Sequence, residues 1–319
     1  MKSQKQNNTV TLPRVFLKLG AAATVALLSM HLEAASINIP TVTVGDIGNA
    51  ADSTGYGAVS YEYQIGKYEV TNGQYAAFLN AVDSTGANTY QLYNSNMSSN
   101  SDGGITWNGS AYEVKAGFDL KPVNFVSFYD AARFTNWLTT GDTENGLYVF
   151  SGTTTITSFP NHSASDGWAV ASEDEWYKAA YYDPNKGGVG GYWTYPTQSD
   201  SISGNQANYR DSGNGNVPME VESFAPNAYG TFDQGGNVNE WNDTLINGNS
   251  RVVRGGAFNY YDSSLASSAR NSRAPASEYA DFGFRVVLLG SQSSVPEPGT
   301  YAALAGLAML AYVIVRRRR

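Results

Sequence analysis

Three short stretches decide where this chain can be helical. In each, a hydroxyl residue stands three places ahead of an acid or an amide: Thr71 before Gln74, Ser127 before Asp130, Ser172 before Glu175. A hydroxyl that caps the third helical amide, with a side chain reaching back to the cap, is a helix-start signature. Behind each start the apolar residues fall at helical spacing: Tyr75, Phe78 and Leu79, then Ala131, Phe134, Trp137 and Leu138, then Trp176, Ala179 and Ala180. The third helix must stop before Pro184. Between these starts the chain is rich in Gly, Asn and Ser, which favour turns over long elements. Short strands are expected at Thr41–Val44, within 61–70, at 147–150, at Arg251–Arg254 and at Phe284–Leu289. ITWNGSAYEV (105–114) reads as a hairpin about Asn108–Gly109. The expected class is α+β, one domain with little regular secondary structure and no internal repeat.

The two ends obey other rules. Lys2, Lys5, Arg14 and Lys18 precede an apolar run from Leu19 to Met30, and the small residues Ala34, Ala35 and Ser36 follow. That is the order of a secretory signal peptide, expected over residues 1–35. The run is shorter than the roughly 20 apolar residues of an ordinary spanning helix. At the other end, Pro296-Glu297-Pro298 leads into an apolar stretch from Tyr301 to Val315 and then Arg316–Arg319. An apolar run closed by arginines is a stop-transfer pattern with its basic end cytoplasmic. The string resembles the PEP-CTERM sorting signal of bacterial exported proteins. That resemblance implies a membrane sorting protease as partner. It also implies export to the cell envelope, with the protein held in the membrane through its C-terminus or released outside. The expected partition is a lead-in at 36–60, a domain at 61–289, a linker at 290–298 and a sorting or transmembrane segment at 299–319.

Once the terminal segments are set aside, 12 Lys and Arg face 27 Asp and Glu. So acidic a body repels nucleic acid and tolerates hard cations such as calcium. Cysteine is absent, which excludes a thiol nucleophile, a zinc–cysteine site and an iron–sulfur cluster. Of the 2 histidines, His31 falls in the leader and His162 alone remains. One histidine cannot build a two-histidine, one-carboxylate iron site. His162, in the polar stretch PNHSAS, is expected to face solvent. Glu173, Asp174 and Glu175 are expected to complement a helix dipole. Arg254, Arg270, Arg273 and Arg285 are expected to pair with buried acids or carbonyls. KGGVGG (186–191) lacks the spacing and the Lys-Ser/Thr of a phosphate loop.

Five blocks now stand in order: YQIGKYEVTNGQYAAFLNAV (63–82), KPVNFVSFYDAARFTNWL (121–138), WAVASEDEWYKAAYY (168–182), NAYGTFDQGGNVNEW (227–241), and RVVRGGAFNYYDSS with ARNSRAP and GFRVV (251–287). Together they resemble the formylglycine-generating enzyme family, also called the sulfatase-modifying factor domain. The resemblance implies a C-type-lectin-like fold with much coil. It also implies structural calcium. By position, the ligands are Asp233, the carbonyls of Gly236 and Val238, and Glu240. A second site starts at Asn208 and the carbonyl of Tyr209, with Asp211 or Asn214 supplying one of its further ligands. Calcium takes six to eight oxygens, and glycine lets carbonyls turn inward.

The family's oxidase chemistry needs a cysteine pair and copper shortly after the RGGS motif. Here that stretch is AFNYYDSSLASSA (257–269), with Tyr260, Tyr261 and Leu265 but no thiol. Soft copper prefers thiolate or thioether ligands, so no copper is expected. The leading expectation is an exported cell-envelope protein with a binding or structural role. Its aromatic-rich loops at 90–113 and 185–200 suit a peptide or glycan of the envelope. The alternative is a divergent metal-dependent oxidoreductase using oxygen or tyrosine ligands near Tyr260 and Tyr261.

Overall fold

The computed structural model describes residues 37–290. The expected leader and the sorting tail lie outside the described residues. Fourteen short strands and four helices alternate with long irregular stretches. In chain order the elements are β1 (Thr41–Val44), β2 (Tyr63–Gly66), α1 (Asn72–Val82), α2 (Asn96–Ser99), β3 (Ile105–Trp107), β4 (Tyr112–Val114), α3 (Phe128–Thr140), β5 (Val149–Phe150) and β6 (Ile156–Ser158). There follow β7 (Gly167–Val170), α4 (Glu173–Tyr181), β8 (Tyr182–Asp183), β9 (Gly191–Tyr192), β10 (Asn239–Ile246), β11 (Ser250–Arg254), β12 (Asn271–Arg273), β13 (Phe282–Phe284) and β14 (Val286–Leu289). Mixed α and β content with little regular structure is the expected class.

All three capping boxes form. Thr71, Ser127 and Ser172 accept from the amides of Gln74, Asp130 and Glu175, whose side chains return to the cap amides. The inward faces follow the sequence spacing: Tyr75, Phe78, Leu79, Ala131, Phe134, Trp176, Ala179 and Ala180 are all buried. Burial of a side chain such as Phe78 contributes roughly 1.5–3 kcal/mol. Trp137 and Leu138 pack against the core from a half-buried position. The hairpin at 105–114 pairs Trp107 with Tyr112 around Asn108–Ala111.

Two four-stranded sheets organise the rest. One runs β1-β2-β14-β7 and is antiparallel throughout; the other runs β12-β11-β10-β13, with β10 and β13 parallel. The expected strand Phe284–Leu289 is in fact two strands broken at Arg285. β13 belongs to the second sheet and β14 to the first, so Arg285 sits at the joint where the chain changes sheets. At this joint the Arg285 side chain is fully buried. β10, the longest strand, has no apolar alternation to announce it, because Asn239, Glu240 and Asn242 are polar yet buried. Trp241 anchors it, stacking edge-on to Phe128 and Phe282 and donating to the Val126 carbonyl at 2.9 Å. Among the described residues no helix is long and apolar enough to cross a membrane.

Candidate functional site

The loop 233–238 feeds straight into β10 and gathers the acids of the interior. Glu240 is fully buried, and both its oxygens are engaged. Arg285 Nη2 donates to Oε1 at 2.8 Å, while Arg285 Nε and Trp176 Nε1 donate to Oε2 at 2.8 and 2.7 Å. Arg285 also donates to the carbonyls of Gly66, Lys67 and Phe232. Asp233, with a left-handed φ of 59°, accepts from the Glu222 amide at 2.8 Å. Burial pushes its carboxyl up to about 6, against the pull of that amide and of Arg285.

Glu69, which carries no signal of its own in the sequence, completes the cluster. It is 1% exposed, and neither carboxylate oxygen has a hydrogen-bond partner among the described residues. Burial raises its carboxyl well above the usual range, and the nearby Asp233 adds to that, while Arg285 opposes it. Three carboxylates thus lie around one buried guanidinium. A buried charge without a partner is costly, and the described residues supply no hydrogen-bond partner to Glu69.

Asn208 is brought against the same loop. Its carbonyl accepts the Asn237 amide at 2.8 Å, and its Nδ2 donates to Asn237 Oδ1 at 3.2 Å. Its own Oδ1 is buried without a partner. The Tyr209 carbonyl accepts the Ser212 amide at 3.0 Å, closing a turn. Asp211 lies exposed with φ at 65°, and Asn214 donates to the carbonyls of Gly204 and Ala207. Among the described residues no three of His, Asp and Glu are grouped so as to hold a metal. A cation here therefore needs carbonyl oxygens beside the acids, which is the donor set calcium accepts. The orphaned oxygens of Glu69 and Asn208 fit such an ion.

The stretch 257–269 carries no thiol. Tyr260 is half-buried near Asp281 and Arg273; Tyr261 is 54% exposed, with the Arg210 guanidinium 4.8 Å from its ring centre. Arg254 and Arg270 both pair with Glu173, and Arg285 pairs with Glu240, as expected for structural arginines. Arg273 donates to Asn271 Oδ1 and the Ser272 carbonyl.

His162 does not face solvent. Its ring is 14% exposed and lies between two acids, Nδ1 at 2.9 Å from Glu175 and Nε2 at 3.4 Å from Asp243. A polar sequence neighbourhood hid this, because both partners come from distant elements.

The loop after α1 builds a hollow of about 300 Å³ with Tyr90, Tyr93 and Tyr129 on its walls and Asn94, Asp130 and Glu278 among them. Asp130 is 2% exposed, and its Oδ2 accepts from the Ser127 amide and hydroxyl at 2.7 and 2.8 Å. Burial, then the neighbouring Glu278, push its carboxyl up to about 8. Glu278 is raised by burial, and Asn94 Nδ2 donates to its Oε2. Like charges so placed oppose each other's ionisation, so Asp130 holds its proton at neutral pH. Arg133 lies 5.3 Å from the Tyr90 ring centre and is itself tied to Glu144, which holds that ring at the rim.

The profile of the sulfatase-modifying factor enzyme 1-like domain matches residues 30–289, and that of the PEP-CTERM protein-sorting motif matches 294–319. A search of curated proteins finds no match. Among solved structures, the fold is similar to Treponema denticola variable protein 1, at 20% identity and a TM-score of 0.56 over 81% of this chain and 97% of that one. It is also similar to CarF, at 23% and 0.55 over 80% and 99%, and to PvdO from Pseudomonas aeruginosa, at 19% and 0.50 over 79% and 92%. At such identities the structural likeness speaks for the fold alone.

Proposed function

Since the chain belongs to the sulfatase-modifying factor enzyme 1-like domain family and ends in a sorting motif that marks it for export, we propose that it is an exported envelope protein that binds a neutral glycan. The observation that carries this is the hollow beneath Tyr90. Three tyrosines, the Asn94 carboxamide and the neighbouring acids Asp130 and Glu278 line it together. Sugar rings stack on aromatic faces, and their hydroxyls both donate and accept, as carboxamides and a protonated carboxyl such as that of Asp130 do. A peptide would need an apolar slot or an unpaired sheet edge, and these walls offer neither. The absence of cysteine removes the family's thiol chemistry without touching this hollow.

The cluster around Asp233 is read as a structural cation clamp. Asp233, Glu69 and the carbonyls of Gly236 and Val238 would hold calcium, with Asn208 from the neighbouring loop. Glu240 is already engaged by Arg285 and Trp176 and serves as the wall of the site. The ion would supply the two positive charges that the buried acids lack. Tethering through the sorting tail to the membrane, and recognition by a sorting protease, complete the proposed setting.

The test is calorimetric titration of the purified protein with oligosaccharides from bacterial envelopes. Saturable binding that weakens about tenfold or more in Tyr90→Ala and Tyr129→Ala is expected, the loss of one ring contact being of that order. Binding that ignores both changes, or no binding to any envelope glycan fraction, overturns the reading.

A further inference from the structure

Glu173 is 2% exposed and accepts from two guanidiniums at once. Arg254 Nε and Nη2 reach its Oε1 at 2.9 and 2.6 Å; Arg270 Nε and Nη2 reach Oε1 and Oε2 at 2.8 and 2.7 Å. Two positive charges meet one negative charge. Arg254 Nη1 is taken by the carbonyls of Ser267 and Ala269. Arg270 Nη1 is taken by no acceptor among the described residues, and that side chain is 31% exposed. The surplus charge of the pair surfaces at Arg270.

A cavity of about 200 Å³ lies against it, lined by Arg254, Gly255, Gly256, Ser264, Arg270 and Asn271 among others, and by no carboxylate. Of the acids around it, Glu173 is held by the two arginines, Asp262 accepts from the Ser263 amide at 2.7 Å, Asp281 accepts from Asn239 Nδ2 at 3.2 Å, and Asp174 accepts from the Gly57 amide at 2.8 Å. The amides of Gly255 and Gly256 are buried, and no acceptor among the described residues takes either. Buried backbone N–H groups are nearly always paired, so these two require water or a ligand. The serine hydroxyls and the Asn271 amide add further donors. The cavity is donor-rich, acceptor-poor and positively charged, on a body whose acids greatly outnumber its bases.

We propose that this cavity binds a small oxyanion, a sulfate, phosphate or carboxylate group, with Arg270 as its charged partner. A guanidinium with a free edge beside backbone amides is the donor set that recognises such groups. The site is separate from the tyrosine-lined hollow and rests on neither the glycan reading nor the cation clamp.

The experiment titrates the purified protein with sulfate, phosphate, acetate and glucuronate at constant ionic strength. Saturable binding of at least one anion is expected, weakened about tenfold or more in Arg270→Gln, the loss of one charge-assisted contact. Asn271→Asp, at an exposed position, places a carboxylate on the rim and should weaken the same anion while leaving the fold intact. Thermal melts confirm that both variants are folded, and Asn271→Asp decides if Arg270→Gln is not. Glucuronate preferred over acetate identifies an anionic sugar as the source; sulfate or phosphate preferred identifies a free ion. No saturable binding by the wild type, or full affinity retained in the folded variants, overturns the proposal.

Discussion

Arg285 grips Glu240 with a two-pronged fork, Nη2 to Oε1 and Nε to Oε2, both at 2.8 Å, with both side chains wholly buried. Arg285 stands where the chain passes from one sheet to the other, and Glu240 stands at the head of the longest strand. The pair therefore ties the sheet joint to β10. Removing one partner strands a charge in the interior, which costs about 3–5 kcal/mol. Arg285→Met should lower the urea-unfolding stability by about that much. Adding Glu240→Gln to it should restore part of the loss. Additive losses in the double variant would show that the two side chains do not act as a pair.

The buried acids around Asp233 predict a reversal of sign at Glu69. Without a divalent ion, Glu69 is an uncompensated carboxyl, so Glu69→Gln should leave the chelated protein as stable as the wild type or more so. With calcium the order should invert. An ion at a hundredfold excess over its dissociation constant adds about 2.7 kcal/mol, and the variant should lose most of that gain. Melting curves with EDTA and with calcium, alongside elemental analysis of the purified protein, make the comparison. Identical melting of the wild type in both conditions would sink the clamp.

His162 makes stability depend on alkaline pH. Burial alone would depress its pKa, but Glu175 and Asp243 outweigh burial and hold it at about 10, against an ordinary 6.5. Tyr61 donates to Glu175, and Tyr148 and Arg251 donate to Asp243, so these acids are already ordered. A raised histidine stabilises fully below its unfolded pKa and loses that contribution as pH rises to the folded one. Asp130, raised from 3.8 to about 8, acts in the same direction at lower pH. The folded state holds a proton that the unfolded state releases. Stability should fall steadily from neutral pH to about 10, and His162→Gln should flatten that slope. A slope unchanged in His162→Gln would assign the alkaline loss to other groups.

What could be read from the sequence follows from how locally each signal is written. The three helices are coded within four residues each, hydroxyl to return side chain, and all three form with their apolar faces inward. The short strand Thr41–Val44 and the hairpin at 105–114 are equally local. β10 is not, because Asn239, Glu240 and Asn242 are polar groups whose burial depends on partners from β13, α4 and the Arg285 joint. His162 misleads for the same reason: its acids come from α4 and β10. A cation site at Asp233 and Asn208 is what the family resemblance implies, and the structure places their loops in contact. Glu69 is not legible at all, since only three-dimensional packing reveals that its oxygens lack partners.

Gly236 tests how tightly those two loops are joined. Its φ is 89°, and a Cβ there would strike the Asn208 carbonyl oxygen, which already accepts from Asn237. Gly213 has a similar φ of 91°, and a Cβ added there would meet nothing within 4 Å. Gly213→Ala should therefore cost only the left-handed backbone penalty, about 1–2 kcal/mol. Gly236→Ala carries the same penalty and must also push the 208 loop away from the 236 loop. The excess loss in Gly236→Ala over Gly213→Ala, read from chemical denaturation midpoints, measures that contact. Hydrogen exchange at the Asn237 amide, which bonds to Asn208, should accelerate only in Gly236→Ala. Equal losses in the two variants would mean that the loops can part without cost and that Asn208 is no fixed member of the cluster around Asp233.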